Sequence, residues 1–501
     1  MSREGPFVLS VDQGTSGTSA SLYDAAAHLV ASVDVKVSSS FPRPGWVEQD
    51  PFELLESIRE AVHKLVRQEN LQPGQIECLG LANQGEPLLL WNLETGEPVY
   101  DAIGWECVRS GDLCRQMIEK GLEPAFRHRT GLSIHPMWPA TKVPWILENV
   151  PESHDLLKAG KLAFSSLDTW FIHHLTKERL FVTDPSTASR SGFYNIHDRK
   201  WDGELLDLFG GESLVCPEAI DSAGYFGEAD FGEGWRIPWT GSALDQSIAL
   251  LGQACCNPGD TKVTYGTCAE LWLVVGHSTQ DTGNLSTSIA WQIDGKPTYA
   301  IVGEAGTAGA MVVWLRDRFD MSWSNAELSD VAQSAGGQAE LVFVAALSGL
   351  DAPYWAPHAR GTIYGLTAGT GLEHIVKAGL ESVAFNVRDV VDSLSKDEVL
   401  PISDVVKADG GMAANDYLMQ FQADILDRTI LVPSNLEATS MGAALLAGLA
   451  TGYYSDMDFV QQTWQLSRTF EPRMSPEERE RHCARWSEAV EHTISFHSKR
   501  N

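Results

Sequence analysis

The sequence predicts an α/β protein made of two related domains facing one another, and three observations predict it. VLSVDQGTSGTSASLYD (8–24) reads as strand, Gly/Ser/Thr turn and strand, closed by the turn signal Tyr23-Asp24. KVTYGTCAELWLVVG (262–276) repeats that plan about 250 residues later: a short extended run, a Gly-Thr loop, then an extended apolar run. ISDVVKADGGMAANDYLMQFQADILDRTILVP (402–433) reads as strand, Gly-Gly turn, amphipathic helix and strand. The second domain is expected to begin near residue 253, which divides the 501 residues into 1–252 and 253–501.

The elements follow in order. Residues 51–69 carry Leu54, Ile58, Val62 and Val66 at helical spacing, with Asp50 and Pro51 as cap and first turn. IECLGLANQGEPLLLWNLETGEPVYDAIGW (76–105) alternates short apolar strands with turns such as Glu94-Thr95-Gly96-Glu97. Ser475-Pro476-Glu477-Glu478 opens a last helix as a capping box, with Trp486, Ala489, Val490 and Ile494 on its apolar face.

Composition narrows the function classes. A formal net charge of −30 disfavours nucleic acid and anionic membranes as partners. It also means that an anionic ligand must be held by local donors. No stretch approaches the roughly 18–20 apolar residues of a membrane span, and MSREGPFVLS lacks a basic segment followed by an apolar one. The expectation is a soluble, cytoplasmic protein. The eight cysteines form no C-x-x-C pair and no Cys/His ligand spacing, so they read as reduced thiols, mostly buried.

The loops suggest chemistry. The turn at Gly14, Thr15 and Ser16 is an ordinary hairpin turn or a set of backbone N–H groups aimed at an anion. Taken with Gly266-Thr267 and Gly410-Gly411, it gives three donor loops at strand ends, as a nucleoside triphosphate needs on a surface with few cations. There is no G-x-x-x-x-G-K-[ST], and no G-x-G-x-x-G opening a helix after a strand. Asp12, at a strand end beside the first loop, could hold Mg²⁺ directly or through water. Asp245, followed by Gln246, stands after small residues where a ligand could approach; taken alone it reads as a helix N-cap.

Together these pieces resemble the FGGY carbohydrate kinases, most closely the glycerol kinase branch. DQGTSGTSASLYD resembles that family's first phosphate motif, MWPATKVPWILEN (137–149) its first signature and GTIYGLTAGTGLEHIVKAGLE (361–381) its second. SLDTWFIHHLT, VTDPSTASRSGFYNI, ALDQSIALLGQACCNPGDTKVTYGT, APYWAPHARG and DGGMAANDYLMQFQADIL extend the match from about residue 7 to about 455. The resemblance implies two actin-like (ribonuclease H-like) domains with a cleft between them. It implies ATP and Mg²⁺ as cofactors, and Asp245 as the base that takes the proton of the attacking hydroxyl. Asp12 becomes the carboxylate on the Mg²⁺ side, with Asp245 also near the ion. Gly14, Thr15, Ser16, Gly266 and Thr267 become phosphate donors, and Gly309, Gly410, Gly411 and Asn415 the adenosine end. Gln84, Gly85, Glu86, Trp105, Met137, Asp245, Gln246 and Glu270 become the substrate side. Members of the family are often dimers or tetramers, so a homo-oligomer is an open possibility.

The chain departs from the glycerol kinase pattern at several of these places. Gly85 replaces an arginine, Met137 a tyrosine, Glu270 a phenylalanine and Ser19 an arginine, and Trp105-Glu106-Cys107 replaces Trp-Gln-Asp. Losing the Arg and Phe side chains is expected to enlarge the pocket, which points to a polyol or ketose of four or five carbons. Glycerol remains the alternative if a neighbouring side chain fills the gap at Gly85. A rival of another class is a catalytically weak, actin-like ATP sensor or scaffold. His173-His174 lack a ligand partner at suitable spacing, Arg236 falls in a loop that some bacterial glycerol kinases use for effector binding, and Trp138, Trp145, Trp314 and Trp355 read as packing residues.

Overall fold

The computed structural model describes residues 5–280, 282–320, 322–336, 341–396 and 402–498. The first half of the chain folds around a six-stranded sheet. Strands β1 (Phe7–Gln13), β2 (Gly17–Tyr23) and β3 (Leu29–Lys36) form an antiparallel meander. Helix α1 (Pro51–Gln68) follows, capped by Asp50, whose carboxylate accepts from the N–H groups of Phe52 and Glu53. Its Leu54, Ile58, Val62 and Val66 are buried, as the spacing predicts. Strand β4 (Ile76–Asn83) then pairs parallel with β1. After helix α2 (Pro139–Asn149), β5 (Glu228–Asp230) and β6 (Arg236–Leu244) complete the sheet, with β6 parallel to β4.

The second half repeats this wiring. Helix α3 (Asp245–Gly252) leads into β7 (Thr261–Tyr265), β8 (Cys268–Gly276), β9 (Ser286–Ile293) and β10 (Lys296–Thr307), all antiparallel. Helices α4 (Gly309–Phe319) and α5 (Leu372–Lys396) precede β11 (Val405–Asp409), which pairs parallel with β7. Helix α6 (Asp416–Leu426), β12 (Thr429–Pro433), helix α7 (Ala438–Thr451), β13 (Leu466–Phe470) and helix α8 (Pro476–Ser498) finish the chain. The orders β3-β2-β1-β4-β6-β5 and β10-β8-β7-β11-β12-β13 match strand for strand, with β9 added at one edge of the second sheet. This is the two-domain, actin-like α/β architecture that the sequence predicts.

The seam between the halves is built from small residues. Helix α7 packs on α3, β4 and β6, and bare glycines let the backbones touch. A Cβ on Gly442 would lie 2.0 Å from the Ile248 carbonyl oxygen, and one on Gly252 1.9 Å from that of Ala438. The capping box at Ser475 forms in part, with the Glu478 N–H donating to the Ser475 hydroxyl at 3.2 Å. Among the described residues no helix is long and apolar enough to cross a membrane, and all eight cysteines are free thiols.

Candidate active site

The carboxyl ends of β1, β4 and β6 and the β7–β8 hairpin meet around a cavity of about 170 Å³. Thr15, Gln84, Glu86, Trp105, Met137, Asp245, Gln246, Gly266, Thr267 and Glu270, all named from the sequence, line it together. Asp245 is the first residue of α3, immediately after the buried end of β6. It does not cap the helix: Leu244 holds the cap position, and among the described residues Asp245 Oδ1 accepts only from the N–H of Gln246, at 2.5 Å. Burial, then the charges of Glu86, Asp12 and Glu270, push its pKa well above the ordinary carboxylate range.

The first hairpin loop is held from the side. The Thr15 hydroxyl accepts from Trp105 Nε1 at 3.0 Å and donates to Gln84 Oε1 at 3.2 Å, while Gln49 Nε2 donates to the Thr15 carbonyl at 2.9 Å. The second loop is held by backbone: Gly309 N–H donates to the Gly266 carbonyl at 2.9 Å, and those of Ala308 and Ala310 to the Thr267 carbonyl. The N–H groups of Thr15, Ser16 and Thr267 take no acceptor among the described residues. That donor set fits a polyphosphate. The Asp12 carboxylate accepts no hydrogen bond among the described residues, and burial, with Glu437 and Asp34 nearby, raises its pKa to about 7. An uncompensated hard-oxygen ligand of this kind fits Mg²⁺. Ser19 donates to Asp34 Oδ1 at 2.6 Å, and Lys64 Nζ donates to the Asp34 carbonyl at 2.9 Å.

Gly309, Gly410, Gly411 and Asn415, expected at the adenosine end, do not line this cavity. Gly410, at φ +82°, packs its α-carbon against the Tyr265 backbone, where a Cβ would meet the carbonyl oxygen at 2.7 Å. Asn415 caps α6 through Oδ1 and donates from Nδ2 to the Asn325 carbonyl at 3.0 Å, so both ends of its amide serve the fold. Gly309 braces the second loop at Gly266.

The expected enlargement at Gly85 does not occur. A Cβ there would meet Leu244 Cδ1 at 2.2 Å, because the buried Leu244 side chain occupies the space. Glu270, for its part, turns toward Trp272, whose Nε1 donates to Oε2 at 3.1 Å.

Four positions at or beside the cavity escaped the sequence reading. Arg190, next to the short helix Pro185–Ser189, is almost fully buried; it donates to Glu86 at 2.8 Å and to Glu304 of the other half at 3.1 Å, over the Trp138 ring. Lys142 of α2, also buried, ties the carbonyls of Glu86 (3.2 Å) and Met137 (2.7 Å). Leu244 and Glu304 are the others. One signal was present: Glu304 is a lone charge in the apolar run AIVGEAGT. His173 and His174 sit among Trp91, Trp170 and Phe52, and no group of three metal-type ligands occurs among the described residues. Arg236 pairs with Asp230 and Glu228 on the β5–β6 hairpin.

Comparison with known proteins decides the family. The model for the FGGY family of carbohydrate kinases, N-terminal domain, matches residues 7–252, and that for its C-terminal domain residues 262–451. The chain belongs to the FGGY carbohydrate kinases. It is therefore an ATP-dependent phosphotransferase with an alcohol group as acceptor, glycerol-kinase-like in sequence. Among its relatives, glycerol kinase 2 of Thermotoga maritima is 42% identical, over 98% of this chain and 100% of that protein. The glycerol kinase of Xanthomonas campestris is 39% identical over 98% and 99%. The glycerol kinase of Plasmodium falciparum, solved with ADP, superposes with a TM-score of 0.89 at 32% identity, covering 97% of this kinase and 98% of that one. A xylulose kinase of Lactobacillus acidophilus shares the fold at 21% identity, with a TM-score of 0.87 over 99% and 100% of the two chains.

Proposed function

We propose that this kinase phosphorylates a terminal hydroxyl of a short polyol, with glycerol the first choice. The observation that carries the proposal is the position of Asp245, on one cavity whose other walls include both hairpin loops. Its Oδ2, which takes no hydrogen bond among the described residues, can take the proton of the attacking hydroxyl, and the burial and neighbouring carboxylates that raise its pKa make it a stronger base than an ordinary carboxylate. Trp105 and Met137 supply an apolar wall for the carbon chain, while Gln84, Glu86 and Gln246 orient hydroxyls. Thr15, Ser16, Gly266 and Thr267 bind the terminal phosphates, with Gly14 leaving room for the turn. Gly309, Gly410, Gly411 and Asn415 shape the nucleotide end. Asp12 would hold Mg²⁺, which when bound neutralises charge on the phosphates. Residues 1–252 thus contribute the acceptor site, the first loop and the base, and 253–501 the nucleotide side.

The small cavity and the names of the relatives both favour glycerol over a longer chain. The four-carbon reading keeps one specific support, the carboxylate of Glu270 in the wall. A coupled assay of ADP release across three- to six-carbon polyols and ketoses tests the proposal. Glycerol or a four-carbon polyol should stimulate release, and Asp245→Asn should cut it about 10²–10⁴-fold. If no acceptor raises ADP release above background, the chain is an ATP-binding scaffold instead.

A further inference from the structure

Two lysines of the second sheet hold helix α3, and only one of them suits the helix. Lys262 of β7 and Lys407 of β11 stand opposite each other in the parallel pairing, so both side chains leave one face of the sheet. Lys407, half-buried, donates to the carbonyls of Gln253 (2.6 Å) and Ala254 (3.3 Å) at the end of α3. A cation there satisfies orphan carbonyls and complements the helix dipole. Lys262 goes to the other end. Its Nζ donates to Gln246 Oε1, in the first turn, at 3.0 Å, and to Thr264 Oγ1 at 2.7 Å. The helix dipole disfavours a cation at that end. Lys262 is also fully buried, and burial lowers its pKa against the charges of Asp409, Glu270 and Asp245. The stability of α3 therefore gives no reason for Lys262.

The reason lies at Gln246. Its side chain is an amide, whose oxygen and nitrogen ends are nearly equal in shape and opposite in function. An ammonium group only donates, so Lys262 holds the oxygen end. The nitrogen end, Nε2, takes no acceptor among the described residues. Gln246 lines the cavity and Lys262 stands behind it, so Nε2 is the donor that this amide can offer a ligand. The carboxylates of Glu86, Asp245, Glu270 and Glu304 line the same cavity and can only accept when ionised. A reversed amide would add one more acceptor to that wall and leave it a donor poorer.

We propose that Lys262 is a positioning residue for the acceptor: it fixes the Gln246 amide with its nitrogen as the end offered to an acceptor hydroxyl. The oxygen of that hydroxyl accepts from Nε2, beside the Asp245 carboxylate that takes the proton of the attacking one. This rests on the polyol-kinase reading above. Lys262 belongs to the second sheet and Gln246 to the first half of the chain, so the donor is set only when the two halves are in place. Lys407, on the same face, serves the helix end and has no such task.

The test uses the full-length protein, with ATP and glycerol (or the acceptor that wild type uses best) varied in turn. Lys262→Met should raise the acceptor KM about tenfold, more than it lowers kcat, with the KM for ATP within about twofold of wild type. Lys262→Arg should restore most of the loss, and Gln246→Leu should match or exceed it. Lys262→Met added to Gln246→Leu should change little further, because Lys262 acts through that amide. Gln246→Glu keeps a partner for Lys262 and removes the donor, so it should fold and still raise the acceptor KM about tenfold. It decides the matter if Lys262→Met does not fold. A wild-type acceptor KM in Lys262→Met or Gln246→Glu overturns the inference, as do independent losses in the double variant or an equal rise in the KM for ATP. Those outcomes leave the kinase reading standing. No acceptor-stimulated ADP release in wild type overturns the kinase reading and this inference with it.

Discussion

The two hairpin loops that face each other across the cavity have the same wiring and different supports. The β1–β2 loop is tied down by side chains: Trp105 and Gln84 on the Thr15 hydroxyl, Gln49 on its carbonyl. The β7–β8 loop is tied down by backbone, the start of α4 donating to the Gly266 and Thr267 carbonyls. A side-chain network tolerates the loss of one member, because the rest and water can re-form around it. The close approach of Gly309 to the Gly266 carbonyl has no such slack, because a Cβ on residue 309 would collide with that oxygen. The second loop should therefore be the more fragile, and the largest effect is expected there. A Cβ on Gly309 would lie 2.6 Å from the Gly266 oxygen. Gly309→Val should displace the loop by a fraction of an ångström or more and reduce kcat by about 10²-fold. Thr15→Val, which removes one hydroxyl from the first loop, should cost about tenfold in kcat/KM, the worth of about 1.4 kcal/mol. Equal losses in the two variants would remove the distinction.

The same contrast, backbone against side chain, recurs at Gly442 and Gly85. Gly442 faces the Ile248 carbonyl at 2.0 Å, whereas Gly85 faces the end of the Leu244 side chain at 2.2 Å. Gly442→Ala should destabilise the protein by about 3 kcal/mol, the upper part of the range for overpacking, and no single partner change should restore it. Gly85→Ala should cost about 1 kcal/mol, and Leu244→Ala in the same chain should recover part of that loss. Denaturant unfolding of Gly442→Ala, Gly85→Ala, Leu244→Ala and the Gly85→Ala/Leu244→Ala pair measures both, the pair being compared with the sum of its two single changes.

This contrast also explains what the sequence made legible. The repeated strand–loop–strand plan, the helix over 51–69 and the convergence of Asp245 with Thr15, Glu86 and Glu270 were all readable, because each rests on local pattern or on motif residues. The exchange of an arginine for Gly85 was readable too, but its consequence was not. Leu244 lies far from Gly85 in sequence, and only the parallel pairing of β4 and β6, which sets Asn83 against Leu244, brings them together. Arg190 was visible in the run TASRSGFYN, yet its two carboxylate partners stand about a hundred residues away in either direction, and no spacing rule connects them.

The last expected effect concerns the wall rather than the loops, and it shows only as a difference between two pH values. His135 Nδ1 accepts from the Met137 N–H at 3.2 Å, and its ring lies 6.0 Å from that of Trp355 in the other half. Burial, and then the nearby Lys142 charge, lower its pKa to about 4. Between pH 6.5 and 4 the unfolded chain therefore carries a proton at this position that the folded chain does not. Stability contributed by the neutral ring is present above pH 6.5 and is lost progressively as pH falls toward 4. At pH 5 the loss is at most about 2 kcal/mol, from 1.36 kcal/mol per pH unit. Other groups, such as Asp168 with its pKa raised to about 7 by burial, act with the opposite sign, so the wild-type curve alone does not isolate it. The difference between wild type and His135→Asn does: asparagine keeps an acceptor for Met137 and does not titrate. The unfolding free energy at pH 7 minus that at pH 5 should be more positive in wild type than in the variant, by up to about 2 kcal/mol, and equal differences would mean that His135 takes up its proton in the folded kinase at no cost to the wall.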